Sequence, residues 1–285
     1  MQSFRLSGYL GMIRKDLAQS SLVCRCCGSS PSSMSSPNGT FCNFCEWLAR
    51  PGDADQLHSN TEVSTHLEGM RKAIAEKVWE PGIVHADALA ASKDPFLMYG
   101  ASHFYKFFSD FTYRSVDYAQ GGFMYSNAEK RNDEPNLNKH NAMSLISASK
   151  GCLFKSLKII SGGQLDAEHA YLKFMCNVEL KRYQHAASAL EELEKLPGSQ
   201  EMSHYAHMLL RIEASDTLSA KEKPPETGSA QGSANFFYYL AKYLAKSGSL
   251  EDSLRILKAL SGKVRMPMAD HYLDRVSAVS AASSL

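Results

Sequence analysis

The chain has 285 residues, of which 44% are apolar and 21% charged, and its 31 basic side chains balance 30 acidic ones. That composition describes a globular chain long enough for one large domain or two modest ones, and its neutrality removes overall basicity as an argument for nucleic-acid binding. No apolar run approaches the roughly 18 residues that span a bilayer, and Arg5, Arg14 and Lys15 interrupt the N-terminal apolar residues, so no secretory signal is expected and the cytoplasm is the expected compartment.

Residues 1–20 carry apolar positions compatible with a short helix, weakened by Gly8 and Gly11. Five of the seven cysteines follow within residues 24–45. Cys24, Cys27, Cys42 and Cys45 form two CxxC knuckles, and the segment from Ser29 to Thr40 between them is made of turn-forming and small polar residues and reads as an exposed loop. Two such turns each present two soft sulfurs to one tetrahedral ion, so zinc is the expected ligand. An iron–sulfur cluster also takes four thiolates, and free thiols are a third alternative. Cys26 is a spare thiol beside the first knuckle.

Val63, Leu67, Met70, Ile74 and Val78 recur at steps of three and four and predict a helical face, ended by Pro81-Gly82. Residues 96–125 are dense in aromatics, which serve either as core or as a stacking surface; burial is the commoner fate. The polar stretch 126–141 reads as a loop, and 141–160 as a helix or helix plus strand. Helices are expected over 166–181, 183–196, 200–212, 236–247, 250–260 and 270–280. Gly248 is the expected C′ residue of one of them, and Ser249 with Asp252 a capping box for the next.

The stretch 215–233, rich in Ser, Pro, Gly and charge, is expected to be a flexible linker. One helix–turn–helix unit, Asn235 to Leu260, resembles a tetratricopeptide unit, but the period of about 34 residues that such arrays show is not visible elsewhere in the residue pattern. The expected fold is mainly α: an N-terminal segment with a four-cysteine zinc finger over 1–50, a central aromatic and basic domain over 51–163, and a helical bundle over 164–285.

Catalytic motifs are missing from the pattern: there is no HExxH, P-loop, GxSxG or GxGxxG after a strand, so a non-enzymatic protein is expected. His204 and His207, three apart, form a weak metal candidate. Charge is uneven. No acidic residue occurs from Pro135 through Gln164, where Lys139, Lys150, Lys155 and Lys158 fall, and Arg114, Lys130 and Arg131 lie upstream. These seven positions are the candidate nucleic-acid contacts, the alternative being a solvated face.

The knuckle Phe41-Cys42-Asn43-Phe44-Cys45-Glu46-Trp47 after a short N-terminal stretch, the aromatic middle and the helical remainder resemble the large-subunit-like component of type IV CRISPR effector complexes. The resemblance implies a non-catalytic subunit of an RNA-guided ribonucleoprotein that contacts guide RNA, helps recognise target DNA and assembles with other protein subunits. The alternative is a protein–protein adaptor built from a zinc finger and a helical, repeat-like bundle.

Overall fold

A computed structural model describes residues 23–28, 40–42, 45, 48–49, 59–76, 78, 80–112, 116–117, 124–125, 134–214, 234–262 and 267–282. The expected N-terminal helix, the linker 215–233, Arg114, Lys130 and Arg131 lie outside them. Among the described residues the chain is mainly helical, with two small antiparallel ladders, β1 (Thr40–Phe41) with β2 (Leu48–Ala49) and β3 (Val116–Asp117) with β4 (Met124–Tyr125). No described helix is long and apolar enough to cross a membrane.

Helix α1 (Thr61–Glu76) starts where Asn60 caps it, its Oδ1 accepting from the backbone N–H groups of Glu62 (3.1 Å) and Val63 (3.2 Å). Leu67 and Met70 are buried on the expected face. Val78 is not: it is 43% exposed and lies beyond the helix end. The expected stop at Pro81-Gly82 is in fact a start, because α2 runs Glu80–Ala91 with Pro81 in its first turn, where a missing N–H costs no helical bond. Gly82 is needed for packing, since a Cβ there would lie 2.5 Å from Ala73 Cβ and from Phe104 Cζ.

Helix α3 (Pro95–Thr112) is capped by Asp94, whose Oδ1 accepts from Phe96 N–H at 2.8 Å. Phe96, Tyr99, Phe104, Tyr105, Phe107 and Phe108 are all buried, so this part of the aromatic stretch is core. Its partner α4 runs Glu134–Ser161, reaching back into the polar stretch that reads as a loop; apolar periodicity is lacking there, yet the backbone is helical.

The remaining described helices are α5 (Ala167–Glu179), α6 (Tyr183–Glu194), α7 (Gln200–Ala214), α8 (Ala234–Lys246), α9 (Leu250–Ser261) and α10 (Pro267–Ala282). Helices α5, α7, α8 and α10 begin at Ala167, Gln200, Ala234 and Pro267, which are evenly spaced along the chain to within one position. The spacing is that of a tetratricopeptide array, about 34 residues per step. A period that the residue identities do not display is thus present in the backbone. The hairpins α5–α6 and α8–α9 coincide when Ala167 is laid on Ala234. Helix lengths are then 13 and 12 residues in both, and buried Ala186, Ala189, Leu190 and Leu193 fall on buried Ser253, Ile256, Leu257 and Leu260.

The two turns match as well. Arg182 N–H bonds Asn177 O at 2.8 Å, as Ser249 N–H bonds Leu244 O at 2.8 Å. The left-handed residue is Lys181 (φ 58) in one and Gly248 (φ 86) in the other. The expected capping box does not form: Ser249 makes no side-chain cap bond, and its backbone carbonyl receives the Ser253 N–H at 3.1 Å. Rings from successive helix starts touch, Tyr205 of α7 on Tyr239 of α8 and Tyr238 of α8 on Tyr272 of α10.

Candidate metal centre and basic face

The Sγ atoms of Cys24, Cys27, Cys42 and Cys45 all lie within 4.8 Å of one another, and all four side chains are buried. Local geometry makes this possible from both sides. In the first knuckle Gly28 N–H bonds Cys24 O at 2.7 Å, closing a turn that leaves Gly28 at φ 64, a region other residues rarely adopt. In the second, Cys45 N–H donates to Cys42 Sγ at 3.4 Å. The two turns meet where Cys27 Sγ and Cys42 Sγ stand 3.5 Å apart. Four sulfurs so disposed can hold a metal ion.

Burial opposes ionisation of Cys24, but hydrogen bonds from Cys26, Cys27, Cys42 and Cys45 together outweigh it and hold that thiol well below the usual range. Burial pushes Cys26 and Cys45 up, while Cys27 is raised chiefly by its hydrogen bonds to Cys24 and Cys42. Cys26 is fully buried among them rather than turned to solvent.

The first knuckle is also bolted to the helices. Arg71 of α1 donates to Gly28 O. Arg25 pairs with Glu168 of α5 at 3.0 Å and lies 3.9 Å above the Phe96 ring of α3. Gly100 of α3 supports the backbone of Cys26 so closely that a Cβ there would overlap Cys26 O. The cysteines belong to the same buried cluster as the helical core.

The candidate basic residues are distributed differently. Lys150, Lys155 and Lys158 are exposed on α4, on the side opposite buried Leu145, Cys152, Leu153 and Ile160. Lys139 lies in the same helix, its side chain outside the described residues. No local pattern announces that Arg182, in the α5–α6 turn, comes to this face; its guanidinium lies 6.0 Å from the ring centroid of Phe154.

His204 and His207 do not build a metal site together, since His207 Nε2 instead meets Glu194 Oε1 at 2.6 Å. A histidine pair without a sequence signature links α1 to α2, His66 Nδ1 to His85 Nδ1 at 3.1 Å. No protein-family model matches this chain, and no curated protein or solved structure matches it either.

Proposed function

We propose that the chain is a non-catalytic adaptor in which zinc fastens the N-terminal knuckles to an array of helical hairpins. The observation that carries this reading is the even recurrence of helix starts at Ala167, Gln200, Ala234 and Pro267, with matched burial in the two hairpins. Stacked hairpins of about 34 residues present extended surfaces whose use is to hold other macromolecules. Zinc fits the donor set: with Zn–S bonds of ~2.3 Å a tetrahedron has sulfur–sulfur edges of about 3.8 Å, and four buried thiolates make a closed, structural site. Metal analysis should find about one zinc per chain; stoichiometric iron with visible absorbance would replace zinc by a cluster.

The adaptor reading is tested by affinity purification of the tagged chain from its native cells followed by size-exclusion chromatography. An adaptor elutes in a larger assembly with a protein-like ratio of absorbance at 260 to 280 nm. Elution as a bare monomer overturns it.

A second reading has its own observation, the exposed Lys150, Lys155 and Lys158 of α4. In this reading the chain is a ribonucleoprotein subunit, the specific form being the large-subunit-like role in a type IV CRISPR complex that contacts guide RNA and target DNA. What supports that form is the order of parts, a four-cysteine knuckle ahead of an aromatic and helical body. The same chromatography then shows strong 260 nm absorbance that is lost after ribonuclease treatment.

A further inference from the structure

We propose that the outward face of α4, joined by the α5–α6 turn, is a binding surface for single-stranded nucleic acid on which Phe154 stacks an unpaired base. This inference rests on the nucleic-acid reading; it needs neither the CRISPR assignment nor the zinc.

Helix α4 carries two kinds of surface. Its inner side is apolar and packed, whereas its outer side shows Lys150, Lys155 and Lys158 with Phe154 among them, 51% exposed. A phenylalanine on an exposed helix face costs apolar hydration that a core position would have avoided, and three cations around it give the mixture of ring and positive charge that a single strand requires. The turn after α5 adds Arg182, whose guanidinium lies over the ring at 6.0 Å from its centroid, and the exposed Lys181, two cations from outside α4. The acids that follow in the chain are engaged elsewhere: none occurs from Pro135 through Gln164, Asp166 meets His169, Glu168 pairs with Arg25, and Glu179, just before the turn, is turned inward to pair with Lys106.

Gly151 is an independent observation. It sits inside α4, where glycine costs stability relative to alanine, yet no neighbour demands it: a Cβ there would meet nothing within 4 Å. It lies on the outer half of the helix, one turn from Lys155 and close to Phe154. Bare backbone at that point lets a sugar–phosphate chain come near the helix axis while a base reaches the ring. A duplex hides its base faces and cannot use Phe154, so the surface selects unpaired strands.

The test is fluorescence anisotropy of the full chain with a labelled oligouridylate of about twenty nucleotides, a duplex of equal length and a polyglutamate peptide, at several salt concentrations. Lys155→Glu with Lys158→Glu should weaken oligouridylate binding and lower the slope of log affinity against log salt by about one to two. Phe154→Ala should cost roughly 5- to 100-fold on the single strand, leave the salt slope unchanged and spare duplex binding. Both variants change exposed side chains, and circular dichroism checks that they fold.

Failure of the wild-type chain to bind the oligouridylate at low salt overturns both this site and the nucleic-acid reading. Binding that neither variant affects overturns the site alone. Equal binding of polyglutamate, insensitive to Phe154→Ala, overturns the site in favour of an acidic protein partner.

Discussion

His103 shows how a single buried side chain makes stability depend on pH. It lies on α3, edge-on to Tyr99 with ring centroids 4.6 Å apart. Burial lowers its pKa to about 4, more than nearby Glu179 can raise it, and Lys106 adds to the lowering. Unfolded, the imidazole titrates near 6.5. The folded chain binds the proton less well, so the contribution is complete above pH 6.5 and is lost as pH falls towards 4, an effect of order 3 kcal/mol. Glu179 acts lower. Burial raises its pKa, but Lys106 and His103 outweigh that and hold it at about 2, so its share is lost only below about 4.5. Urea unfolding between pH 7 and 4 should therefore show a falling midpoint, and His103→Gln should flatten that limb down to about pH 4.5. An equally steep limb in the variant would remove His103 as the cause. Lys181 offers a second test: with φ at 58 it occupies a conformation suited to glycine, and Lys181→Gly should raise stability by about 0.5–1 kcal/mol.

At the scale of elements, close approach rather than propensity decides where helices sit. Gly69 faces the His85 ring across the α1–α2 contact, where a Cβ would overlap it, and Gly82 faces Phe104. Gly100 is the most constrained, because the atom a Cβ would strike is the backbone oxygen of Cys26 and cannot swing aside. Gly100→Ala should push the first knuckle off α3 at a cost of about 1–3 kcal/mol, read as a lower urea midpoint together with faster loss of added metal to a chelator. A variant with unchanged midpoint and metal retention would show that the knuckle does not depend on this seat. The hairpin turns are more tolerant, since lysine and glycine both serve as the left-handed residue in two otherwise equivalent turns.

Across the whole molecule, one buried cluster joins Cys24 and Cys45 to Phe96, Tyr171, Leu209, Leu257 and Val276. Metal binding is then folding free energy for more than the knuckles. Removing the metal with a strong chelator should lower the thermal midpoint of the helical circular-dichroism signal in a single transition. A helical transition unmoved by chelation would mean that the knuckle folds and unfolds on its own. Acidic and basic groups are also paired between helices: Lys106 with Glu179 ties α3 to α5, and Lys242 with Glu213 ties α8 to α7. Both pairs are partly buried, so removing one partner would leave its counterpart's charge poorly solvated.

By itself the sequence determined the four clustered cysteines, the mainly helical class and most helix positions, because CxxC spacing, apolar periodicity and capping residues act over a few neighbours. Asp94 before Pro95 and Asp166 before Ala167 are local signals that the structure uses as helix caps. Pro81-Gly82 misleads as a stop because proline is compatible with both the end of one helix and the first turn of the next, and only the seat of Gly82 on Ala73 and Phe104 chooses between them. The repeat is hidden for a related reason. Equivalent positions such as Ala186 and Ser253, or Lys181 and Gly248, share burial or backbone angle but not identity. The meeting of Arg182 with Phe154, of Arg25 with Glu168 and of Cys26 with Gly100 was decided by tertiary structure alone, since contacts between distant segments depend on how whole helices pack and leave no periodic trace in the chain.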